Sequence, residues 1–205
     1  MQKAGSVTTA SVVSTSKAAA RIRAAAIEAF AEHGYGGTTT RDIAARLGMS
    51  AAAMYPHYKS KEELLFVIAY EGHQKTVEWL KAADPVTDKP ANRLQAVVGE
   101  FARTQAAYHG RSKVVEYELK ALSPEHYRVI VGLRRKLTRH IREIVDAGVA
   151  DGSFQVPDTE GVTLAVVSLC VDVCRWFPAG RYSNPETVAT LYSELALRLV
   201  STTNE

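Results

Sequence analysis

No apolar run in this chain approaches the roughly 18 residues that a membrane-crossing helix needs. The longest candidate, residues 162–173, is interrupted by Thr163, Ser168 and Asp172. The first twenty residues are rich in Ser, Thr and Ala and lack the compact apolar core of a signal peptide. Residues 1–16 are therefore expected to form a disordered tail, and the chain is expected to be cytoplasmic. Cysteine is nearly missing. Cys170 and Cys174 lie four apart in an apolar helical segment. That spacing puts both thiols on one helix face, where regular geometry does not favour a disulfide, and no His pair accompanies them as a zinc site would require. They are expected to pack in the core. No nucleophile elbow, dinucleotide fingerprint or phosphate-cradling loop is present, and His126 and His140 stand without an adjacent partner. An enzyme is not expected, nor a metal or a cofactor. Strand signals are also missing, because apolar residues recur at three and four rather than alternating. The fold class read from this pattern is all-α.

Net charge is small, at +3, but it is unevenly placed. Residues 17–61 hold seven Lys/Arg against three Asp/Glu, whereas residues 62–205 hold 17 against 19. A basic small unit joined to a slightly acidic larger one is expected where only the first part meets phosphate.

About nine helices can be placed from periodicity and capping residues. The first covers about residues 17–33, with Ile22, Ala26, Ala29 and Phe30 inward and Gly34 as its C-terminal cap. The second runs from about Thr40 to Leu47, with Thr39 as N-cap and Asp42 completing a capping box. Gly48 permits a sharp turn, and Ser50 is expected to cap a third helix from Ala51 to about Pro56 or Tyr58. Ser60 caps a fourth that reaches about Ala83. Five longer helices follow, opened in part by Ser123-Pro124, Asp158 and Asn184-Pro185.

The first three helices have the layout of a helix-turn-helix, which sets its second helix into the major groove of DNA. Residues 17–63 are assigned to this unit, and residues 64–205, by the family resemblance named below, to effector binding and dimerisation. Thr40, at a helix start with free backbone N–H groups, suits a phosphate. The exposed positions of the recognition segment are Ala51, Ala52 and Ala53. Alanine has no side-chain donor or acceptor, so these residues can touch a thymine methyl but cannot form the bidentate pairs that read guanine or adenine. Base selection is expected to lean on Tyr55, Thr40 and DNA shape.

Phe30, Gly34-Tyr35, Thr38-Thr39, Ile43-Ala44, Gly48-Met49-Ser50, Tyr55, His57-Tyr58 and Ser60-Lys61-Glu62 together resemble the tetracycline-repressor (TetR) family of transcriptional regulators. The resemblance implies a homodimer through the last two helices and a near-palindromic DNA operator. It also implies repression relieved by a ligand. By the same resemblance Ser50, Tyr55, His57 and Lys61 contact the DNA backbone. The final third, with GVADGSF, CRWFPAGRYS and YSELALRLV, resembles more loosely those members that control lipid catabolism and sense acyl-coenzyme A. A small hydrophobic or acyl-CoA-like effector is expected among Phe101, Tyr108, Tyr117, Cys170, Val173 and Trp176. Arg134, Arg135, Lys136, Arg139 and Arg142 are set either to meet coenzyme A phosphates or to form a solvated helix face. A DNA-binding helical protein without an effector is the competing reading, and it predicts a solid C-terminal core.

Overall fold

The structure, a computed structural model, describes residues 16–201. The tail assigned to residues 1–16 lies outside them, apart from Ser16. Among the described residues there are eight α-helices and two short 3-10 turns, with one isolated bridge, Ala179 to Tyr182, in place of any strand. The helices are α1 (Lys17–Gly37), α2 (Thr40–Arg46), α3 (Lys61–Ala83), α4 (Pro90–Ala107), α5 (His109–Tyr117), α6 (Pro124–Ala150), α7 (Thr159–Trp176) and α8 (Pro185–Val200). The all-α class and the order of elements follow the sequence. The ninth element does not: the segment read as a third helix is a 3-10 turn, Ala51–Met54. Pro56 has no N–H to donate to the Ala52 carbonyl, so an α-helix begun at Ala51 cannot propagate. Instead Ala53 and Tyr55 donate to carbonyls three residues back, on Ser50 and Ala52, at 3.0 and 3.3 Å. Ser50 makes no side-chain cap here.

The caps read from sequence explain most helix starts. Thr39 and Asp42 form a complete capping box, Ser60 accepts from the Glu63 N–H, and Ser123, Asp158 and Asn184 each accept from the first turn that follows. Such a cap is worth about 1 kcal/mol, which matters for a helix as short as α2. Gly34 breaks the regular run of α1 with φ +72°, and Gly48 makes the following turn with φ +65°. Both values lie in the left-handed region that favours glycine.

Two apolar cores form. The first gathers Ile22, Ala26 and Phe30 of α1, Ile43 of α2, Met54 of the recognition turn, the N-terminal half of α3 and parts of α5 and α6. The second joins α4, α7, α8 and the later half of α6. α3 runs unbroken through residue 63 and contributes to both cores. α8 lies along α4, whereas α7 and α8 touch each other little. Cys170 and Cys174 are buried free thiols. Burial pushes both upward, Cys174 to about 11. Among the described residues, no helix is long and apolar enough to cross a membrane.

Candidate DNA-binding surface and effector cavity

The DNA-facing surface is built on α2 and the turn after it. Thr39 holds the start of α2 through its capping box, and Asp42 accepts from the Thr39 N–H at 2.7 Å. The bonds to Thr39 hold the Asp42 carboxyl below its ordinary range. Thr40 follows at the helix start, half-buried. Met54 is buried and pins the recognition turn to the first core, which leaves Ala52 and Ala53 facing outward beside an exposed Ser50. Tyr55 is 54% exposed, so it is not a core aromatic. His57 and Ala51 are half-buried. Thr40, Ser50, the three alanines, Tyr55 and His57 therefore belong to one contiguous stretch of capped helix and turn, with outward surface at each.

Lys61 has a more specific setting. Its Nζ donates to the carbonyls of Tyr35 and Thr38, at 2.8 and 2.6 Å, and sits 4.1 Å from the centroid of the Tyr35 ring. The ammonium thus ties the start of α3 to the end of α1. Tyr58, next to His57, is buried: its hydroxyl accepts from Arg23 at 2.7 Å and donates to the Ala19 carbonyl at 3.1 Å. Arg23 also pairs with Glu71. Arg46 is tied to Glu32 and is not free to read a base. Lys17, Arg21, Arg41 and Lys59 are exposed and supply the cationic surface.

A cavity of about 310 Å³ opens at the seam between the two cores. Five helices contribute to it. α4 gives Phe101 and Gln105, and α6 gives Arg134, Leu137 and Thr138. α3 gives Gly72, His73 and Thr76; α5 gives Arg111, Ser112, Val115 and Glu116; α7 gives Val167, Ser168 and Val171. Arg134 bonds to Glu116, and its Nε donates to His73 Nε2 at 3.2 Å. His73 Nδ1 donates in turn to the Ala69 carbonyl at 2.8 Å, which fixes the neutral tautomer. Burial lowers the His73 pKa to about 4.

Of the six effector residues expected from sequence, Phe101 lines this cavity and five do not. α4 ends at Ala107, so Tyr108 leaves the helical path and stacks on Trp79, with centroids 5.1 Å apart. Tyr117 ends α5 and is exposed. Cys170 and Val173 are wholly buried in the second core. Trp176 packs near Tyr182 and Tyr192. The five basic residues of α6 also separate. Arg134 turns to the cavity, Arg142 pairs with Asp146 and Glu160, and Arg135, Lys136 and Arg139 face solvent. Sequence reading missed His73, Arg111 and Glu116. A signal for the first two existed. Arg111 is in register with the apolar Val115 and Leu119, and His73 with Ala69, Thr76 and Leu80, so each puts a polar group on a buried stripe.

Comparison with known proteins agrees with this architecture. Residues 22–68 match the family described as "Bacterial regulatory proteins, tetR family", and residues 87–200 match "Tetracyclin repressor-like, C-terminal domain". The HTH-type transcriptional repressor KstR2 of Mycolicibacterium smegmatis is 30% identical over 174 residues, covering 82% of this chain and 83% of its own. A tetR-family regulatory protein from Rhodococcus RHA1 superposes with a TM-score of 0.89 at 48% identity, covering 93% of this chain and all of that one. The regulator PfmR of Thermus thermophilus gives 0.80 at 34% identity, over 87% of this chain and 97% of its own. With a capped helix-turn-helix on one core and a helical domain closing a cavity at its edge, the chain belongs to the TetR family of bacterial transcriptional regulators.

Proposed function

We propose that the protein is a repressor in the cytoplasm that grips a near-palindromic operator as a homodimer and releases it when a small, largely apolar effector fills the seam cavity. The observation that carries this reading is that two helices serve both ends. α3 lines the cavity with Gly72, His73 and Thr76, and its first residue, Lys61, holds the α1 carbonyls beside α2. α5 lines the cavity with Arg111, Ser112, Val115 and Glu116, and Glu118 just beyond it accepts from the Tyr35 N–H at 3.2 Å. A ligand that shifts either helix also shifts the end of α1 on which α2 rests. Typical coupling of about 1–3 kcal/mol would weaken operator binding roughly 5- to 150-fold.

On the DNA side, Thr40, Ser50, Tyr55 and His57 are proposed to hold phosphates, and Ala51, Ala52 and Ala53 to approach thymine methyls closely. Lys61 keeps one N–H beyond its two carbonyl bonds, and that donor is proposed to meet a phosphate. Dimerisation is proposed through α7 and α8. In the single chain these helices leave Leu164, Leu169 and Leu199 at 62%, 42% and 40% exposure, an apolar surface that a second copy would cover. The cavity favours a regulator with an effector over a DNA-binding protein with a solid C-terminal core. Its volume lies at the low end of ligand pockets, which suits a small hydrophobic molecule or an acyl group better than a whole acyl-CoA.

Selection from a random duplex pool with the full chain tests the reading. The expected result is two inverted half-sites about one helical turn apart, or somewhat more, bound by a dimer. Few positions should show guanine-specific losses of ~2 kcal/mol or more. No enriched site, or a single half-site bound by one chain, would overturn it.

A further inference from the structure

Among the described residues Arg111 forms no ion pair with a carboxylate, and Glu71 acts on it only from a distance. Arg111 sits in the first turn of α5 and lines the cavity. Its guanidinium carbon lies 4.8 Å from the Tyr108 ring and 5.9 Å from Trp79. The acids around it are occupied: Glu71 pairs with Arg23 at 3.0 Å, and Glu116 is bonded to Arg134. His73, the other titratable group in the wall, is held neutral by burial and by the nearby charges of Arg134 and Arg111. The wall therefore sets two guanidiniums, Arg111 and Arg134, against one carboxylate, Glu116. Burial depresses the Arg111 pKa, as it does for a cation taken out of water without a counter-ion. A half-buried cation loses hydration that no ion pair returns. The rest of the wall offers an apolar body its complement, in Phe101, Val115, Leu137, Val167 and Val171.

We infer that the cavity takes a small molecule with an apolar body and a free carboxylate, and that the carboxylate pairs with Arg111. The inference rests on the effector reading above and narrows it to a chemical class. A guanidinium fork matches a carboxylate bidentately, and the pairing gives Arg111 the counter-charge the fold withholds. The coenzyme A thioester of the same acid has a neutral carbonyl where the carboxylate would be. The free acid therefore binds more tightly than its thioester.

Calorimetry with the purified full chain tests this. The probes are octanoate, octanamide and octanoyl-coenzyme A, with 4-cyclohexylbutyrate and its amide as a second body shape. At least one acid should bind ~10-fold or more tightly than its amide, the ratio a charge-assisted hydrogen bond supports. That gap should close in Arg111→Met and persist in part in Arg111→Lys. Arg111→Met should also melt no lower than the parent without ligand, because it removes a half-buried charge that has no ion pair; a clear drop would assign Arg111 to holding the Trp79–Tyr108 stack instead. Equal binding of acid and amide, or tighter binding of the thioester, would overturn the carboxylate and leave the effector reading standing. Binding by none of the five compounds would remove both.

Discussion

The DNA-binding unit and the effector cavity are built by opposite means. In the former the helix starts are capped locally, and a few longer bonds, from Lys61 to Tyr35 and Thr38 and from Tyr58 to Ala19, tie the capped pieces together. Thr39 and Asp42 cap each other across three residues, Ser60 caps Glu63, and the Thr38 hydroxyl donates to Gly34 and Ala29 close behind it. Beneath them Ile22, Ala26, Phe30 and Ile43 are almost wholly buried. In the latter, Arg134 meets His73 across 61 positions of sequence, and five helices converge to leave space and charge unpaired. A surface that must hold one shape against DNA is closed and capped. The cavity, proposed above as the effector site, retains a void and a partly desolvated cation. The difference teaches where the molecule spends stability and where it holds some back for binding.

Truncating the closed core should do most damage. Ile43→Ala removes a fully buried side chain and should cost about 2–5 kcal/mol, with operator binding lost, in chemical denaturation and gel-shift measurements. Val167→Ala, on the half-buried cavity wall, should cost under about 1.5 kcal/mol and leave operator binding intact; equal costs would erase the contrast between the regions. The next effect belongs to the cavity and depends on pH. The His73 pKa falls from 6.5 to about 4 on burial, so the folded protein binds fewer protons than the unfolded chain between those values. Stability from this group is complete above pH 6.5 and is lost as pH falls towards 4, by up to roughly 3 kcal/mol. His73→Gln should flatten the stability curve across that window, and an unchanged slope would show the ring to be more hydrated than its setting implies.

Lys61→Met should cost about 1.5 kcal/mol through the two carbonyls it abandons. Gel shifts at several salt concentrations separate its two roles. A salt slope lower by about one marks a phosphate contact, whereas lost affinity at constant slope marks the tie to α1. Thr39→Ala should have the smallest effect, about 1 kcal/mol, by opening the capping box. It should weaken operator binding without touching effector affinity, and a change in the latter would mean the two regions are less separate than their contacts suggest.

Much of the fold was legible because caps and stripes act over a few residues. Thr39, Ser60, Ser123, Asp158 and Asn184 each begin a helix where the sequence places one. The recognition segment misleads for a local reason too: three alanines favour a helix, but the missing donor at Pro56 stops it. The cavity was less legible because size and aromaticity do not say which way a side chain turns. Tyr108 and Tyr117 sit at helix ends, and Cys170 and Val173 are wholly buried in the second core. The residues that do line it, such as Arg111 and His73, have the composition of ordinary helix-surface groups.

By itself the sequence determined the helical class, the order of the elements and the capped frame that presents Thr40 to Lys61, since hydrogen bonds and periodicities of three or four residues decide all of them. Only the tertiary structure decided which helix faces meet at the seam, that Lys61 is held by the end of α1, and that Arg111 lines the cavity, half-buried, without an ion-pair partner. Those outcomes depend on the packing of helices far apart in the chain, where a rotation of one residue on any helix, about 100°, would turn a different side chain inward.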